Sequence, residues 1–111
     1  DFANFIPARI TALLIMAVGK QRKLFSFYKN GSLHESPNAG HPITAMALVL
    51  GIKLGGDTSY FGIVKEKAFF GNGRENIEAK DLQNMLRFAK KIDKTIIIIL
   101  TILAIIALLF N

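Results

Sequence analysis

Residues 96–110 read IIIILTILAIIALLF, an apolar run that determines how the rest of the chain is interpreted. The run carries no charged side chain, whereas a core helix of a soluble protein usually keeps a polar face. As an α-helix, these residues would extend roughly 22 Å, against about 30 Å for the hydrocarbon core of a bilayer. Lys94 lies just before the run and can extend its ammonium group to the interface. The sequence therefore predicts a short terminal membrane helix over residues 95–110.

The residues before this run have the pattern of an amphipathic helix. Between Asp81 and Ile92, apolar side chains recur at helical spacing and polar or basic side chains occupy the remaining positions. Acidic side chains lie near the start of the segment and basic ones near its end, as the helix dipole favours. We predict one long helix that is first amphipathic and then apolar. The predicted apolar face consists of Leu82, Met85, Leu86, Ala89 and Ile92.

Two shorter apolar segments lie upstream. Residues 5–18, FIPARITALLIMAV, predict a helix whose cap, first turn and end are marked by Asn4, Pro7 and Gly19. Residues 43–54, ITAMALVLGIKL, mix small and large side chains. This pattern is typical of a helix packed closely on another helix, or of a re-entrant segment. Between these segments the chain is polar, and residues 36–40, SPNAG, predict a turn.

The chain is basic, with 14 Lys and Arg against 8 Asp and Glu. The positive-inside rule therefore places residues 20–94 in the cytoplasm, because basic clusters lie at the inner ends of the two outer apolar runs. No stacking-aromatic pattern accompanies the basic residues, so we expect contact with the lipid bilayer and no nucleic-acid partner. The absence of cysteine excludes a disulfide scaffold and a thiolate zinc site. The clusters are Lys20, Arg22, Lys23 and Lys29, and Arg87, Lys90, Lys91 and Lys94.

These patterns predict an all-α fold class. Residues 1–111 would form a single membrane-embedded domain, a segment of a polytopic protein of the cell membrane. Two spans, over residues 5–18 and 95–110, would bracket a cytoplasmic polar region over residues 19–94. Residues 43–54 would form a short re-entrant or interfacial helix within that region.

A few polar residues stand out as candidates for chemistry. Arg9 lies within an apolar segment, where a charge is costly; it is either functional or reaches the interface from the first turns of the helix. His34 and His41 are too few and too widely spaced for a metal site, so we expect solvated loop histidines or contacts to an anionic ligand, and no metal site. Asp57 would either stabilise a turn, hold Mg²⁺ or accept a proton.

The turn over residues 36–40 offers a hydroxyl group, an amide and backbone N–H groups. Such a turn is either an ordinary connection or a concave anion-binding site. The Gly-rich stretches over residues 55–62 and 71–73 lack the Gly-Lys-Ser/Thr signature of a phosphate-binding loop.

Several short motifs occur in a fixed order over residues 1–75. Their joint order and spacing resemble the C-terminal part of the adenosylcobinamide-phosphate synthase family, the CobD/CbiB-type membrane proteins of cobalamin biosynthesis. One departure is that residues 28–32 read YKNGS, where many relatives carry an Arg-Asp pair. The motifs are Asp1-Phe2, Asn4, Ile6-Pro7-Ala8-Arg9-Ile10-Thr11-Ala12, His34-Glu35-Ser36-Pro37-Asn38-Ala39-Gly40, Ala45-Met46-Ala47, Leu50-Gly51-Ile52-Lys53-Leu54-Gly55-Gly56, Tyr60-Phe61-Gly62 and Lys65-Glu66-Lys67.

The resemblance implies a ligase. Members of the family join an aminoalkyl phosphate, (R)-1-amino-2-propanol phosphate or ethanolamine phosphate, to adenosylcobyric acid through an amide bond. ATP and Mg²⁺ are the implied cofactors, the corrinoid is a substrate, and other cobalamin-assembly proteins are implied partners. Family proteins are longer and carry further membrane segments, so we expect this chain to be a C-terminal part that lacks some of the active site.

The resemblance also implies roles for particular residues. Arg9 and Asn38 would be catalytic, with Arg9 pairing with a phosphate or carboxylate. The implied substrate-binding residues are Ser36, Asn38, Gly40, Gly55, Gly56 and Tyr60.

Two functions from other classes of protein stay open. The chain would be either a non-catalytic membrane scaffold or transport subunit, or a basic peripheral protein held on anionic lipid. Salt would release only the peripheral protein from membranes.

Overall fold

The computed structural model describes residues 2–111, and the chain there is mostly helical with short strands between the third and fourth helices. Asp1, the first residue of the motif series, lies outside the described residues. A single 3₁₀ turn over Phe2–Asn4 precedes the first helix. The helices are Phe5–Val18 (α1), Tyr28–Gly31 (α2), Pro37–Leu50 (α3) and Ala79–Leu109 (α4), and the strands are Leu54–Gly55 (β1), Thr58–Tyr60 (β2), Ile63–Lys65 (β3) and Phe69–Phe70 (β4).

The prediction of a mostly helical chain is confirmed, but the short strands show that the fold is not all-α. β1 pairs antiparallel with β4, and β2 pairs antiparallel with β3 in a hairpin. Phe61 and Gly62 form the two-residue hairpin turn, with φ of 52° and 78°; positive φ at both turn positions matches the twist of paired strands. Strands of two or three residues are too short to show an alternating pattern, which is why the sequence did not reveal them.

The core lies between α1 and α3. The small residues Ala8, Ala12, Ala45 and Ala47 are buried, so the two helices approach each other closely. A Cβ on Gly19 would overlap the side chain of Val49. The expectation that residues from 43 onward pack closely on another helix is therefore confirmed. The buried core cluster consists of Ala12, Ile15, Met16, Phe27 and Ala45.

The ends of α1 match the predicted bounds, but the caps differ from the prediction. Asn4 occupies the N-cap position, yet its side chain makes no capping hydrogen bond. Gly19 is the C-cap with an ordinary φ of −77°, and the left-handed residue is Lys20, with φ of 58°. The Lys20 N–H donates to the Ala17 carbonyl at 3.0 Å, and the Gln21 N–H donates to the Met16 carbonyl at 2.9 Å. This is a Schellman ending in which a lysine occupies the position that favours glycine.

The predicted turn over residues 36–40 is instead the start of α3. Ser36 is the N-cap residue, and Pro37 occupies the first helical position, where its constrained φ suits a helix and its missing N–H costs nothing. The helix ends at Leu50, because Gly51 takes a left-handed φ of 70°. Compared with the predicted helix over residues 43–54, α3 begins earlier, at Pro37, and also ends earlier, at Leu50.

The single long helix is confirmed as α4, which has 31 residues. Its predicted apolar face is partly wrong. Phe88 and Ile92 pack against the core cluster, whereas Leu82 and Leu86 are about half exposed. The face that meets α1 and α3 is therefore rotated around the helix from the predicted one, because the bulky Phe88 side chain packs there.

Within residues 2–111, α4 is the one helix long and apolar enough to cross a membrane. Its apolar half is not covered by any other described part of the chain. α1 is apolar but shorter, so a second span over residues 5–18 and the cytoplasmic placement of residues 20–94 stay predictions.

The start of α4 is tied to the loop before it by Arg74 and Asp81. Glu78 and Asp81 form a capping box, in which the Glu78 N–H donates to Asp81 Oδ2 at 2.8 Å. Arg74 Nη2 donates to Asp81 Oδ1 at 2.6 Å. The hydrogen bond from the Glu78 N–H and the hydrogen bond from Arg74 lower the pKa of Asp81 below its ordinary value of 3.8.

Replacing Asp81 with asparagine is expected to lower the unfolding temperature by a few degrees at pH 7, because the cap and the Arg74 pair both need the carboxylate. A carboxyl group whose pKa is lower in the folded state stabilises the fold above its unfolded pKa, and this contribution is lost as the pH falls through the folded pKa. Melting curves in detergent should therefore show the variant and the parent converging below pH 3.8. Asp93→Asn, on the exposed part of α4, is the matched control and should melt like the parent.

Candidate functional site

Three of the predicted site residues meet in one cleft. Arg9 on α1 and Ser36 and Asn38 at the start of α3 line a cleft of about 490 Å³. A space of this size is ordinary for small-molecule sites. The packing of α1 on α3 brings these residues together, although Arg9 and Asn38 are 29 positions apart. The rest of the cleft wall is formed by Phe2, Phe5, Glu35 and Pro37.

Arg9 is held in place from three sides. Its Nη1 donates to Asn38 Oδ1 at 3.2 Å and to the Phe5 carbonyl at 3.0 Å, and its Nε donates to Tyr28 Oη at 3.2 Å. The guanidinium carbon also lies 3.6 Å from the ring centroid of Phe5. None of the ion pairs among residues 2–111 involves Arg9. The cleft thus contains an oriented positive charge that forms no ion pair with a described carboxylate, although Glu35 lines the same cleft.

Behind Arg9 lies a buried histidine. The His41 ring packs against Tyr28, with ring centroids 4.4 Å apart, and edge-on against Phe27. His41 is fully buried, so the expectation of a solvated loop histidine was wrong for this residue. Neither ring nitrogen has a hydrogen-bond partner in the described part of the chain. Burial lowers the pKa of His41 below its ordinary value of 6.5, and the positive charge of Arg9 lowers this pKa further.

His41 makes the stability of the fold depend on pH. The pKa of His41 is lower in the folded state than its value of 6.5 in the unfolded state, so the unfolded chain takes up a proton first as the pH falls. The fold therefore has its full stability above pH 6.5 and loses stability as the pH falls from 6.5 towards the folded pKa. The unfolding temperature in detergent should therefore fall between pH 7.5 and pH 5.5. His41→Gln should remove much of this slope, whereas His34→Gln should preserve it. An unchanged slope in His41→Gln would contradict the assignment.

Gly55 and Gly56 line a different cavity, of about 350 Å³, together with His34, Thr58 and Lys67. Both glycines have positive φ, 86° and 91°, and a Cβ on Gly56 would overlap the Phe69 ring. Backbone conformation and packing therefore account for these two glycines in the fold. Glu35 lines both this cavity and the Arg9 cleft, and it pairs with Lys65 Nζ at 3.4 Å.

The remaining predicted site residues lie elsewhere. Gly40 is buried in the first turn of α3, and a Cβ there would overlap the carbonyl oxygen of Gly31 at the end of α2. Tyr60 lies on the β2–β3 hairpin, about half exposed, with Lys67 Nζ 5.6 Å from its ring centroid. Neither residue lines the Arg9 cleft. Asp57 Oδ1 accepts a hydrogen bond from the Lys67 N–H at 3.1 Å, which fits the turn-stabilising reading.

Sequence reasoning missed Phe5, Tyr28 and Glu35 as neighbours of Arg9. Phe5 precedes Arg9 by one helical turn, so its contact with the guanidinium follows from helix geometry once Arg9 is singled out. Tyr28 lies in the stretch that departs from the family pattern, which was a signal available in the sequence. No local pattern marked Glu35.

The described residues do not fit a metal site. Among residues 2–111, no group of three or more His, Cys, Asp or Glu side chains is placed to hold an ion. Mg²⁺ needs a cluster of oxygen ligands, usually including one or two carboxylates. No part of the chemistry is therefore assigned to Mg²⁺ at these residues.

The fold and the cleft define a class of protein: a mostly helical chain with one membrane-capable helix and an arginine oriented in a cleft between two packed helices. The chain belongs to the CobD/Cbib protein family, whose sequence model matches residues 1–89. The match includes the Arg9 cleft and the first part of α4, and it stops before the terminal apolar run. The resemblance seen in the sequence is thereby confirmed.

Curated relatives agree with this assignment. The chain is 41% identical over 88 residues to a cobalamin biosynthesis protein CobD of Clostridium perfringens, covering 74% of this chain and 28% of the relative. It is 42% identical over 95 residues to one of Desulfotalea psychrophila, covering 78% and 28%, and 34% identical over 93 residues to one of Klebsiella pneumoniae, covering 78% and 29%. The chain thus spans less than a third of the length of these relatives. No solved structure matches it.

Proposed function

We propose that this chain acts in cobalamin biosynthesis as part of an adenosylcobinamide-phosphate synthase. The family assignment and the names of the relatives, cobalamin biosynthesis protein CobD, support the role in cobalamin biosynthesis. The names of the relatives do not state a reaction, so the reaction proposed here is more specific than they are. It joins the amine of an aminoalkyl phosphate to the propionate carboxyl group of adenosylcobyric acid.

The oriented charge of Arg9 is the observation that supports this reaction best. Both substrates carry anionic groups, a phosphate on the amine and a carboxylate on the corrinoid. A guanidinium group binds either anion through paired N–H donors. The cleft also lies at the N-terminal end of α3, where the helix dipole favours negative charge.

Arg9, Ser36 and Asn38 each have a defined part in the proposed reaction. ATP would supply a phosphoryl group that activates the propionate carboxylate as an acyl phosphate. The amine nitrogen would then attack the carboxyl carbon, the C–N bond forming as the C–O bond to the departing phosphate breaks, and the nitrogen would lose a proton to water. Arg9 would hold the phosphate of the amine substrate, and the Ser36 hydroxyl group would donate a hydrogen bond to the same anion. Asn38 would keep the guanidinium group in position through its Oδ1. Such positioning supplies a large part of the rate in reactions between two bound substrates.

The membrane setting of the proposed enzyme rests on α4. The apolar half of α4 would anchor the protein in the cell membrane, with residues 20–94 on the cytoplasmic side, where the corrinoid and ATP are available. Detergent, and not high salt, should be needed to extract it. Release by salt alone would favour a basic peripheral protein instead.

The test uses the complete reading frame that contains this chain, expressed in membranes. Adenosylcobyric acid, ATP and Mg²⁺ are supplied with either aminopropanol phosphate or ethanolamine phosphate, and the amide product is detected by mass spectrometry. Product formation that depends on the amine and on ATP is the expected result. Absence of product with both amines, in protein shown to be inserted, would favour a non-catalytic scaffold or transport subunit.

A further inference from the structure

A second basic region lies away from the Arg9 cleft, where the chain leaves α1. It is a pocket of about 450 Å³ that shares no lining residue with the cleft. We call it the basic pocket. Its charged and hydrogen-bonding walls are Lys20, Gln21, Arg22, Lys23, Ser26, Asn30 and Asn72.

In the described part of the chain, no carboxylate forms an ion pair with the basic residues of the pocket. The ion pairs among residues 2–111 use other basic residues, namely Lys53, Lys65, Arg74 and Lys80. No acidic side chain lines the pocket. Three cationic residues thus line a space that also offers a hydroxyl group and three carboxamides as hydrogen-bonding groups. An anion with several oxygen atoms has the chemistry that such a space binds.

The backbone of Lys20 is an independent sign that a cation is required in the pocket. Lys20 has φ of 58° at the left-handed position of the Schellman ending, where glycine would be free of strain. A side chain kept in an unfavourable backbone conformation points to a role for that side chain. Here, the residue in that conformation is a lysine that lines the pocket.

The pocket is connected to α4 through the core cluster. Leu48 lines the pocket and also packs against the core cluster, and Phe88 and Ile92 of α4 pack against the same cluster. Ile96, the first residue of the apolar run, follows Ile92 by one helical turn, roughly 6 Å along the axis. Beside the pocket, the apolar side chains of Leu24 and Phe25 are 40% and 67% exposed. Basic residues interleaved with exposed apolar side chains are typical of a surface that meets the headgroup region of a bilayer.

We propose that the basic pocket binds the phosphate headgroup of an anionic phospholipid. The three cations would surround the phosphodiester oxygens, and Ser26, Asn30 and Asn72 would form hydrogen bonds to the headgroup. Leu24 and Phe25 would lie among the acyl chains nearest the headgroup. The basic pocket is separate from the proposed catalytic cleft. The test of lipid binding is therefore independent of whether the proposed reaction is correct.

The experiment uses the fact that the chain has no tryptophan. Phe25→Trp places a single fluorescent reporter beside the pocket. The chain is reconstituted in phosphatidylcholine nanodiscs that contain an increasing fraction of brominated phosphatidylglycerol or, in parallel, of brominated phosphatidylcholine. Bromine quenches tryptophan on contact, so half-maximal quenching reports the local preference for each lipid. We expect phosphatidylglycerol to reach half-maximal quenching at a roughly tenfold lower mole fraction.

Variants test whether the pocket causes this preference. Lys20→Gln/Arg22→Gln/Lys23→Gln should reduce it to less than twofold. Lys20→Gly, which removes one cation and relieves the backbone, should fold at least as stably and lose about half of the preference on a logarithmic scale. The matched control Arg87→Gln/Lys90→Gln/Lys91→Gln removes the same charge from exposed positions on α4 and should retain most of the preference.

Three results would overturn the proposal. Equal quenching by the two brominated lipids would show that the pocket does not select an anionic headgroup. A preference that survives the pocket triple variant would assign it to diffuse charge on the protein. Loss of the preference in 5 mM inorganic phosphate, but not in chloride of equal ionic strength, would make the pocket a site for a soluble phosphate instead of a lipid.

Discussion

Replacing Arg9 with alanine in the complete protein is expected to lower amide formation by roughly 10²–10³-fold, the loss typical of removing one positioned donor at a developing or bound charge. The variant should remain folded, because Arg9 is partly exposed and contributes few apolar contacts to the core cluster. Since Arg9 is proposed to hold the phosphate of the amine substrate, KM for the aminoalkyl phosphate should rise more than KM for the corrinoid.

Two companion variants separate charge from geometry. Arg9→Lys keeps the positive charge but replaces the two nitrogens that donate to Asn38 and Tyr28 with one nitrogen and without the planar fork, so we expect a loss between those of alanine and the parent. Arg87→Ala removes an exposed arginine on α4 and should leave turnover within twofold. If Arg9→Ala, confirmed as inserted, also retained turnover within twofold, the cleft would not be the site of the reaction.

Replacing Gly40 with alanine is expected to destabilise the fold strongly. Its added Cβ would overlap the Gly31 carbonyl oxygen and lie 2.5 Å from the Cβ of His34. Backbone atoms cannot turn aside as a flexible side chain can, so the helix start must shift. Overpacking of this kind costs about 3 kcal/mol, which for a chain of this size lowers the unfolding temperature by roughly 10 °C or more.

A glycine in open space provides the comparison. Gly62, in the hairpin turn, has φ of 78° and no atom within 4 Å of an added Cβ, so Gly62→Ala reports backbone strain without overlap. It should cost about 1 kcal/mol. A stable Gly40→Ala variant that loses turnover would support the predicted role of Gly40 in substrate binding. A variant that is both stable and active would contradict that role and the packing role in the fold.

The long elements were predictable because their patterns extend over many residues. α1 begins and ends where the apolar run predicted, and α4 joins its amphipathic and apolar parts as expected. The start of α3 was missed because proline and glycine in residues 36–40 are common both in turns and at helix starts. Which face of α4 is buried depends on the shape of the α1–α3 pair, and an amphipathic pattern alone does not contain that information.

The site was predictable only in part. Arg9 stood out because a charge in an apolar segment is unusual, and Asn38 followed from the resemblance. The contact of Arg9 with Tyr28, 19 positions away, depends on tertiary packing, which no local pattern reveals. Gly40, Gly55, Gly56 and Tyr60 belong to the family motifs, but the structure places them outside the Arg9 cleft. A shared motif therefore did not distinguish residues that shape the fold from residues that line the cleft.

The position of Glu35 between the two cavities implies thermodynamic linkage between them. A ligand in the cleft that attracts or repels the Glu35 carboxylate changes its pairing with Lys65, and hence the position of the hairpin beside the second cavity. Reciprocity requires a ligand in the second cavity to change affinity in the cleft by the same factor. Both side chains are more than half exposed, so the coupling carried by this ion pair is limited to about fivefold. Occupancy of either cavity would therefore adjust, and not switch, the affinity of the other.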